Sequence, residues 1–531
     1  MVKLNLPTRP WVPQWLGIAT MFIILLPIIM LNGTYTGSIV EVSNTLGILS
    51  EDISMGYYAA SVGMAVAYPI VPKVRAVVTP KTLLLIALAL QILISLWCAH
   101  TGNVDIMIGC SFFIGFLKAF VMLEFIIQMK LFFSPKNVRS EFYAYFYPIV
   151  FSGGQISMVI TAQLAYYYQW QYMYYFTILL MLVAIIFILL FFRYAKTPIS
   201  FPFKEIDWKS ILLMSSTLIF TIYIFTYGKT LDWFSSPRIL IYTFSIPILI
   251  YLFLYRQKTK ATPYISLKPL KHHKSVIGYF FMALTMFLFS TSTLVTNYMN
   301  SIIRVDSIHS NALNLLLLPG FILGGFICFW WFRWQRWRFR FLVSGALFCY
   351  VIYLSILYFC ITPDGTYEML FIPTIFRGLG MLMLFIAFGV YVVEDLDPKL
   401  ALSNAFFLIS FRSVLSPVIS SSFFNNLLYQ LQLKNMNTLS ENLTLTTPLA
   451  SERFTQSLRG AISQGHEFSE ASQIATNNLY IMLQQQALLL SIKTILGYIL
   501  IATLIIALLC CFIPFHKMIK VKVVETGNDM V

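Results

Sequence analysis

Charge is what this sequence has least of. Only 11% of its 531 residues are Asp, Glu, Lys or Arg, less than half the roughly 25% of an ordinary soluble domain. Apolar residues make up 59% without counting glycine. A chain in water could not hide that much apolar surface, which excludes a soluble enzyme, a nucleic-acid-binding domain and a disordered tail. The seven cysteines form no Cys-x-x-Cys pair and no Cys/His cluster, so neither a disulfide framework nor a zinc site is indicated. The phosphate-binding pattern GxxxxGK[ST] is missing, which excludes ATP-driven pumping by this chain. No cofactor is expected. A polytopic membrane glycosyl- or acyltransferase would need clustered acids or a His at the membrane surface, and the one long connector holds no such constellation.

What is present is a series of apolar runs, each near the 20 residues or so that a membrane span needs. They lie at about 15–37, 53–72, 82–100, 105–132, 142–166, 172–192, 210–227 and 239–255. Six more follow at about 276–299, 312–332, 341–361, 370–393, 405–428 and 486–514. The expectation is an all-α protein with fourteen transmembrane helices. The run after Trp15 lacks a small-residue cleavage site and reads as the first span rather than a signal. An even count places both termini on one side. Alternate connectors then divide the basic residues unevenly. The face of the N-terminus collects 26 of the 36 Lys and Arg, including Lys73, Arg75, Lys130, Arg193 and Arg333, while the other holds six, including Lys229 and Arg304. Lys and Arg accumulate in cytoplasmic loops. The net charge of +15 therefore reads as topology, with both termini cytoplasmic and no nucleic-acid partner. The short connectors fit a bacterial inner membrane.

The long connector is 429–485, rich in Ser, Thr, Asn and Gln and assigned to the outer face. From Ser451 to Gln486 it reads as amphipathic helix running into the last span. It is either a passive connector or a docking surface outside the membrane.

Several segments, in order, resemble one family: the fourteen-span drug:proton antiporters of the major facilitator superfamily, the EmrB/QacA type. Leu31-Asn32-Gly33-Thr34 sits at the first-span signature, with Asn32 in place of an acid. Asp232-Trp233 lies between spans seven and eight, and Pro263 to Lys274 looks like the linker before span nine. Leu316 to Gly320 resembles the Leu-Pro-Gly core of span ten, and Arg377-Gly378-Leu379-Gly380 a turn in span twelve. Arg412 stands at the place of a span-thirteen Arg, and Gln486-Ala487 opens the last span. The chain departs from the family in Pro72-Lys73-Val74-Arg75, which lacks the latch acid, and in span four, which lacks an Arg ahead of Gly115.

The resemblance implies two six-helix bundles, 1–200 and 271–531, with two inserted helices in 201–270. It implies a substrate site at their interface, and export of amphipathic, drug-like compounds driven by protons. A lipid, siderophore or metabolite is the alternative cargo. It also implies a periplasmic adaptor and an outer-membrane channel as partners, with 429–485 as the contact.

Charged groups inside spans are costly and usually face protein or water. Four cations fall there: Lys118, Arg377, Arg412 and Lys493. Glu124 is the one acid placed well inside a span. It is satisfied by a basic group of a neighbouring span, is a cavity carboxylate whose desolvation lets it load and release a proton, or is an acid snorkelled toward a loop. Proton coupling is assigned to it. Lys118, six residues earlier and about 240° around the helix, points elsewhere, as a counter-charge or an attractor for anions. Arg412 is read as tying helices together, and Lys493 as snorkelling outward. Asn32, Lys118, Gln128, Gln155, Asn297, Arg377 and Arg412 are the candidates for the substrate cavity, because polar groups facing lipid would go unsatisfied.

Overall fold

A computed structural model of the chain describes residues 6–31, 33–194, 206–260, 263–334, 338–441, 443 and 447–515. The regular elements among them are helices, with one isolated antiparallel bridge between Thr8 and Phe192. The long helices are Gln14–Met30 (α1), Ser50–Ala67 (α2), Pro80–His100 (α3), Val104–Phe133 (α4), Arg139–Tyr167 (α5), Tyr172–Phe191 (α6), Trp208–Tyr227 (α7) and Pro237–Thr259 (α8). They continue with His273–Ile303 (α9), Ser307–Trp334 (α10), Phe339–Cys360 (α11), Tyr367–Tyr391 (α12), Pro398–Ser440 (α13) and Phe468–Phe512 (α14).

Among the described residues, twelve helices, α3 to α14, are long and apolar enough to cross a membrane. The two that fall short have identifiable reasons. α2 opens on Glu51 and Asp52 and is rich in small residues. α1 has 17 residues and carries Pro27, and the expected run 15–37 does not stay in one helix. It stops at Met30 and resumes as the short helices Gly33–Thr36 and Ile39–Leu46. A break inside a bilayer survives only where neighbours take the freed backbone groups. Here α5 does so: the Ser157 hydroxyl donates to the Met30 carbonyl at 2.6 Å, and the Thr161 hydroxyl to the Gly33 carbonyl at 2.9 Å.

α1 to α6 pack as one group, with α2 along α4, α3 against α4 and α6, and α1 against α4, α5 and α6. α9 to α14 form a second, with α10 and α11 along α12, and α11 and α13 along α14. The tightest crossings rely on small residues, which let helices approach closely without a solvent-driven force. A Cβ on Gly115 would sit 1.8 Å from the Ala60 carbonyl oxygen, joining α4 to α2. One on Gly320 would sit 2.3 Å from that of Ile375, joining α10 to α12. The groups meet where α5 lies on α10 and α12, and where α2 lies on the middle of α13. The hairpin α7–α8 leans on α2 and α13.

Contacts between connectors follow the alternation of faces. On the basic face, Lys81 donates to the Phe192 carbonyl at 3.0 Å, the Tyr264 phenol donates to the Val66 carbonyl, and Lys274 pairs with Glu394 at 3.0 Å. His272, on the same face, caps α9 by accepting from the Ser275 amide. On the opposite face, Thr230 donates to Glu51 at 3.0 Å, and the Asn311 amide to the Gly37 carbonyl at 2.9 Å.

The segment 429–485 is not a loop. α13 continues to Ser440, the helix Pro448–Ser463 follows, and α14 is a 45-residue helix, about 67 Å long at 1.5 Å per residue. The continuous helix expected from Ser451 is interrupted between these elements, where Gly465 takes a φ of 93° that side chains disfavour. Pro448–Ser463 folds back along α14, and the Asn478 amide donates to the Ser457 hydroxyl at 2.9 Å.

Candidate functional site

The middle of α13 is irregular. Ser410–Leu415 is π-helical, a form that concentrates at functional sites. Arg412 lies in this turn, half-buried, and reaches across the join to α5. Its Nη1 donates to the Tyr147 phenol oxygen at 3.3 Å. Its guanidinium carbon is 4.6 Å from the ring centre of Phe385 on α12 and 5.9 Å from that of Tyr147. Tyr143 stacks on Tyr147 at 4.8 Å, and Phe151 meets Phe385 edge-on at 4.9 Å. Two helices, α5 of one group and α12 of the other, thus present aromatic faces to the one cation from α13 and attract it through their quadrupoles. Arg412 does tie helices together, through a phenol and rings rather than through carbonyls.

Arg377 on α12 is only 4% exposed. Its Nη2 donates to the Asn314 side-chain oxygen at 3.2 Å, and it lies 4.8 Å over Phe289 and 6.0 Å over Tyr353. Its Nε is buried without an acceptor. Among the described residues, the ion pairs involve other groups, and none reaches Arg377 or Arg412.

Glu124 is fully buried and both its oxygens are engaged. Arg75 Nε lies 2.9 Å from Oε2, and Gln128 Nε2 donates to Oε1 at 2.7 Å. Arg75 comes from the short helix Val71–Arg75 that follows α2. The basic partner is therefore in a connector, not in a neighbouring span. Lys118 is half-buried, seven residues and so nearly two full turns before Phe125. It shares the face on which Phe125 meets Phe22 of α1 and Phe146 of α5. Six residues apart, Lys118 and Glu124 sit on different faces of α4.

The other candidates separate. Gln128 belongs to the Glu124 cluster. Asn297 bonds the Thr293 carbonyl of its own helix at 2.8 Å. Gln155 is half-buried in the middle of α5. Asn32 lies outside the described residues. Lys493 sits 5.9 Å from the Tyr358 ring, near the end of α11. A small cavity of about 20 Å³ near the far face is lined by Thr34, Asp52, Ser111 and Trp170, among others, all from the α1–α6 group and away from Arg412. Sequence reading missed Arg75, Tyr143, Tyr147 and Phe385 as site residues. One signal was available: Tyr143, Tyr147 and Phe151 recur every fourth residue, which aligns them on one helix face.

Residues 19–421 match the family described as the Major Facilitator Superfamily. No curated protein sequence matches the chain. Solved structures that it resembles include a proton-dependent oligopeptide transporter (TM-score 0.54, 12% identity, covering 94% of this chain and 98% of that one). Another is the tetrameric peptide transporter PepTSo2 (0.53, 14%, 93% and 96%). A third is a variant of the nucleoside transporter NupG (0.50, 11%, 91% and 99%). At these identities the likeness is one of fold.

Proposed function

The chain belongs to the Major Facilitator Superfamily, and from that premise we propose that it is a fourteen-span, proton-coupled exporter of amphipathic, drug-like compounds. Family membership makes it a multi-pass secondary transporter rather than an enzyme. In the finer reading, α1 and α2 cross the bilayer with α3 to α14, and residues 1–200 and 271–531 are the two halves that rock about a central site. Helices α7 and α8 are the insertion between them. The observation that carries this reading is the Arg412–Tyr147 bond, which joins the two halves within an aromatic girdle.

Among the described residues, few polar bonds hold the halves at either face: Asn311 to the Gly37 carbonyl and Ser307 to the Glu41 carboxylate on one, and the linker Tyr264 to the Val66 carbonyl on the other. Opening one face at a time requires breaking only one such set. Glu124 is the coupling group. A proton arriving on its carboxylate dissolves the pair with Arg75, frees the connector after α2, and so favours one orientation. Loss of the proton restores the pair and the other orientation. The basic face is cytoplasmic by its charge, in a bacterial inner membrane. The helical extension of α13 and α14, with Phe468 and Tyr480 exposed, is the contact for a periplasmic adaptor and, through it, an outer-membrane channel.

The test is dye efflux from proteoliposomes of the full chain with an imposed pH gradient. Export that follows the gradient supports the reading, and export indifferent to its sign and size overturns proton coupling. Replacing 441–467 by a short Gly/Ser linker should spare export in vesicles and abolish resistance in cells. Resistance that survives the replacement ends the adaptor idea.

A further inference from the structure

We infer that the join of α5, α12 and α13 takes its substrate as an anion, an amphipathic aromatic carboxylate or sulfonate held by Arg412, with Arg377 as a second positive stop. This rests on the transport reading above and narrows its substrate class. The reasoning begins with charge. Glu124 is the one acid well inside a span among the described residues, and Arg75 already occupies it. Arg412 and Arg377 keep their charge inside the protein with neutral partners only: a phenol, a hydroxyl, a carboxamide and four aromatic faces. A cation removed from water and left without an anion is costly, and Arg377 adds a buried N–H with no acceptor. A cargo carboxylate would relieve both.

Geometry favours the same answer. A guanidinium stacked on rings keeps the edge of its planar fork for a carboxylate or sulfonate, which it binds through paired N–H donors. At 3.3 Å, the bond from Arg412 to Tyr147 lies beyond the usual range for N–H···O, so an anionic oxygen would displace the phenol readily. The cargo's ring system would then lie among Tyr143, Phe151 and Phe385, whose flat faces supply apolar contact. Arg377 and Phe385 are eight residues apart on α12, about 12 Å, so the two cations lie at different depths. A cationic amphipath entering the same place would meet unneutralised positive charge, which discriminates against it without any further contact.

The experiment compares two probes of matched shape and opposite charge, 2-naphthoate and 2-naphthyltrimethylammonium, on the intact purified chain. Thermal stabilisation in detergent reads binding, and uptake in proteoliposomes under a pH gradient reads transport. We expect 2-naphthoate to stabilise the protein at a concentration at least about tenfold lower than the ammonium probe. Arg412→Gln should erase that preference, and Arg412→Lys should retain part of it. Arg377→Gln should weaken it less. Equal stabilisation by both probes overturns the proposal, as does an undiminished preference in an Arg412→Gln protein that melts like wild type. Should the Gln variants fail to fold, the Lys variant and the wild-type comparison decide. Binding of 2-naphthoate without transport would keep the anion site and sink the exporter reading. Transport of the ammonium probe alone would do the reverse.

Discussion

The two six-helix groups handle buried charge in opposite ways. In α1 to α6, the carboxylate inside the membrane is closed off: Glu124 has Arg75 on one oxygen and Gln128 on the other. In α9 to α14, Arg377 and Arg412 have rings and neutral oxygens instead of acids. The backbone does not explain the contrast, since α2–α4 and α10–α12 make the same kind of glycine-mediated crossing. The difference lies in which side chains the scaffold carries. One half holds a self-contained ion pair, suited to being opened and closed by a proton. The other holds Arg412 at the join without an acid partner among the described residues, suited to a ligand, with Arg377 buried behind it.

Breaking the pair in the first half should give the largest effect. Glu124→Gln keeps a hydrogen-bonding side chain of the same size, so the protein should fold and bind substrate. Export driven by a pH gradient in proteoliposomes should fall by about a hundredfold or more, the usual lower bound for losing a proton-transfer group. Glu124→Ala goes further and strands Arg75. Removing one partner of a buried pair costs about 3–5 kcal/mol. Because Arg75 is a quarter exposed, we expect the lower end, about 3 kcal/mol, read by denaturation in detergent.

A third region calibrates the comparison. Asp207, at the start of α7, pairs with Arg256 and Lys260 of the α7–α8 hairpin. Burial pushes its carboxyl up, but hydrogen bonds from Arg256, Ser210 and Lys260 outweigh this and hold it well below the ordinary carboxylate range. A depressed acid contributes stability that is complete above its unfolded value near 4 and is lost as pH falls toward the folded value. Wild type should therefore lose stability below about pH 4. Asp207→Asn should be flatter there and about 2 kcal/mol less stable at pH 7, between the exposed and the buried cases. A pH-melting series reads both.

Lys118→Ala should move the relative rates for differently charged probes by several-fold, while the dependence on the pH gradient stays as in wild type. An altered gradient dependence would place Lys118 in coupling instead. The smallest effect belongs to Tyr147→Phe, which removes one long hydrogen bond and keeps the ring. Less than about 1 kcal/mol of stability is expected, with substrate affinity unchanged or slightly higher as Arg412 loses a competing partner.

How legible the site was depended on how far apart its parts lie in the chain. Arg377, Arg412, Lys118 and Glu124 stood out from sequence because a charge within an apolar run is conspicuous wherever it falls. Arg75 did not, because it belongs to a connector that is basic for reasons of topology. Its pairing across 49 positions depends on how α2 lies along α4. Tyr147 and Phe385 were lost among 47 Phe and 30 Tyr, most of which read equally well as lipid-facing or interfacial. The interrupted α1 was likewise missed: the run 15–37 ends on the uncharged but polar Asn32-Gly33-Thr34-Tyr35-Thr36-Gly37, and only the structure shows Ser157 and Thr161 of α5 taking the carbonyls of Met30 and Gly33.

The sequence by itself determined that the protein is a multi-pass membrane protein and that it is helical. Both follow from solvent transfer: apolar runs cannot stay in water, and backbone in lipid must bond within its own segment. Only the tertiary structure decided which buried charges are neutralised and which stay open. It also decided that the helix expected from Ser451 is split in two, Pro448–Ser463 folding back along α14. Those outcomes depend on distances of a few ångströms between helices far apart in the chain, where one side chain in place of another makes a pair or leaves a charge without one.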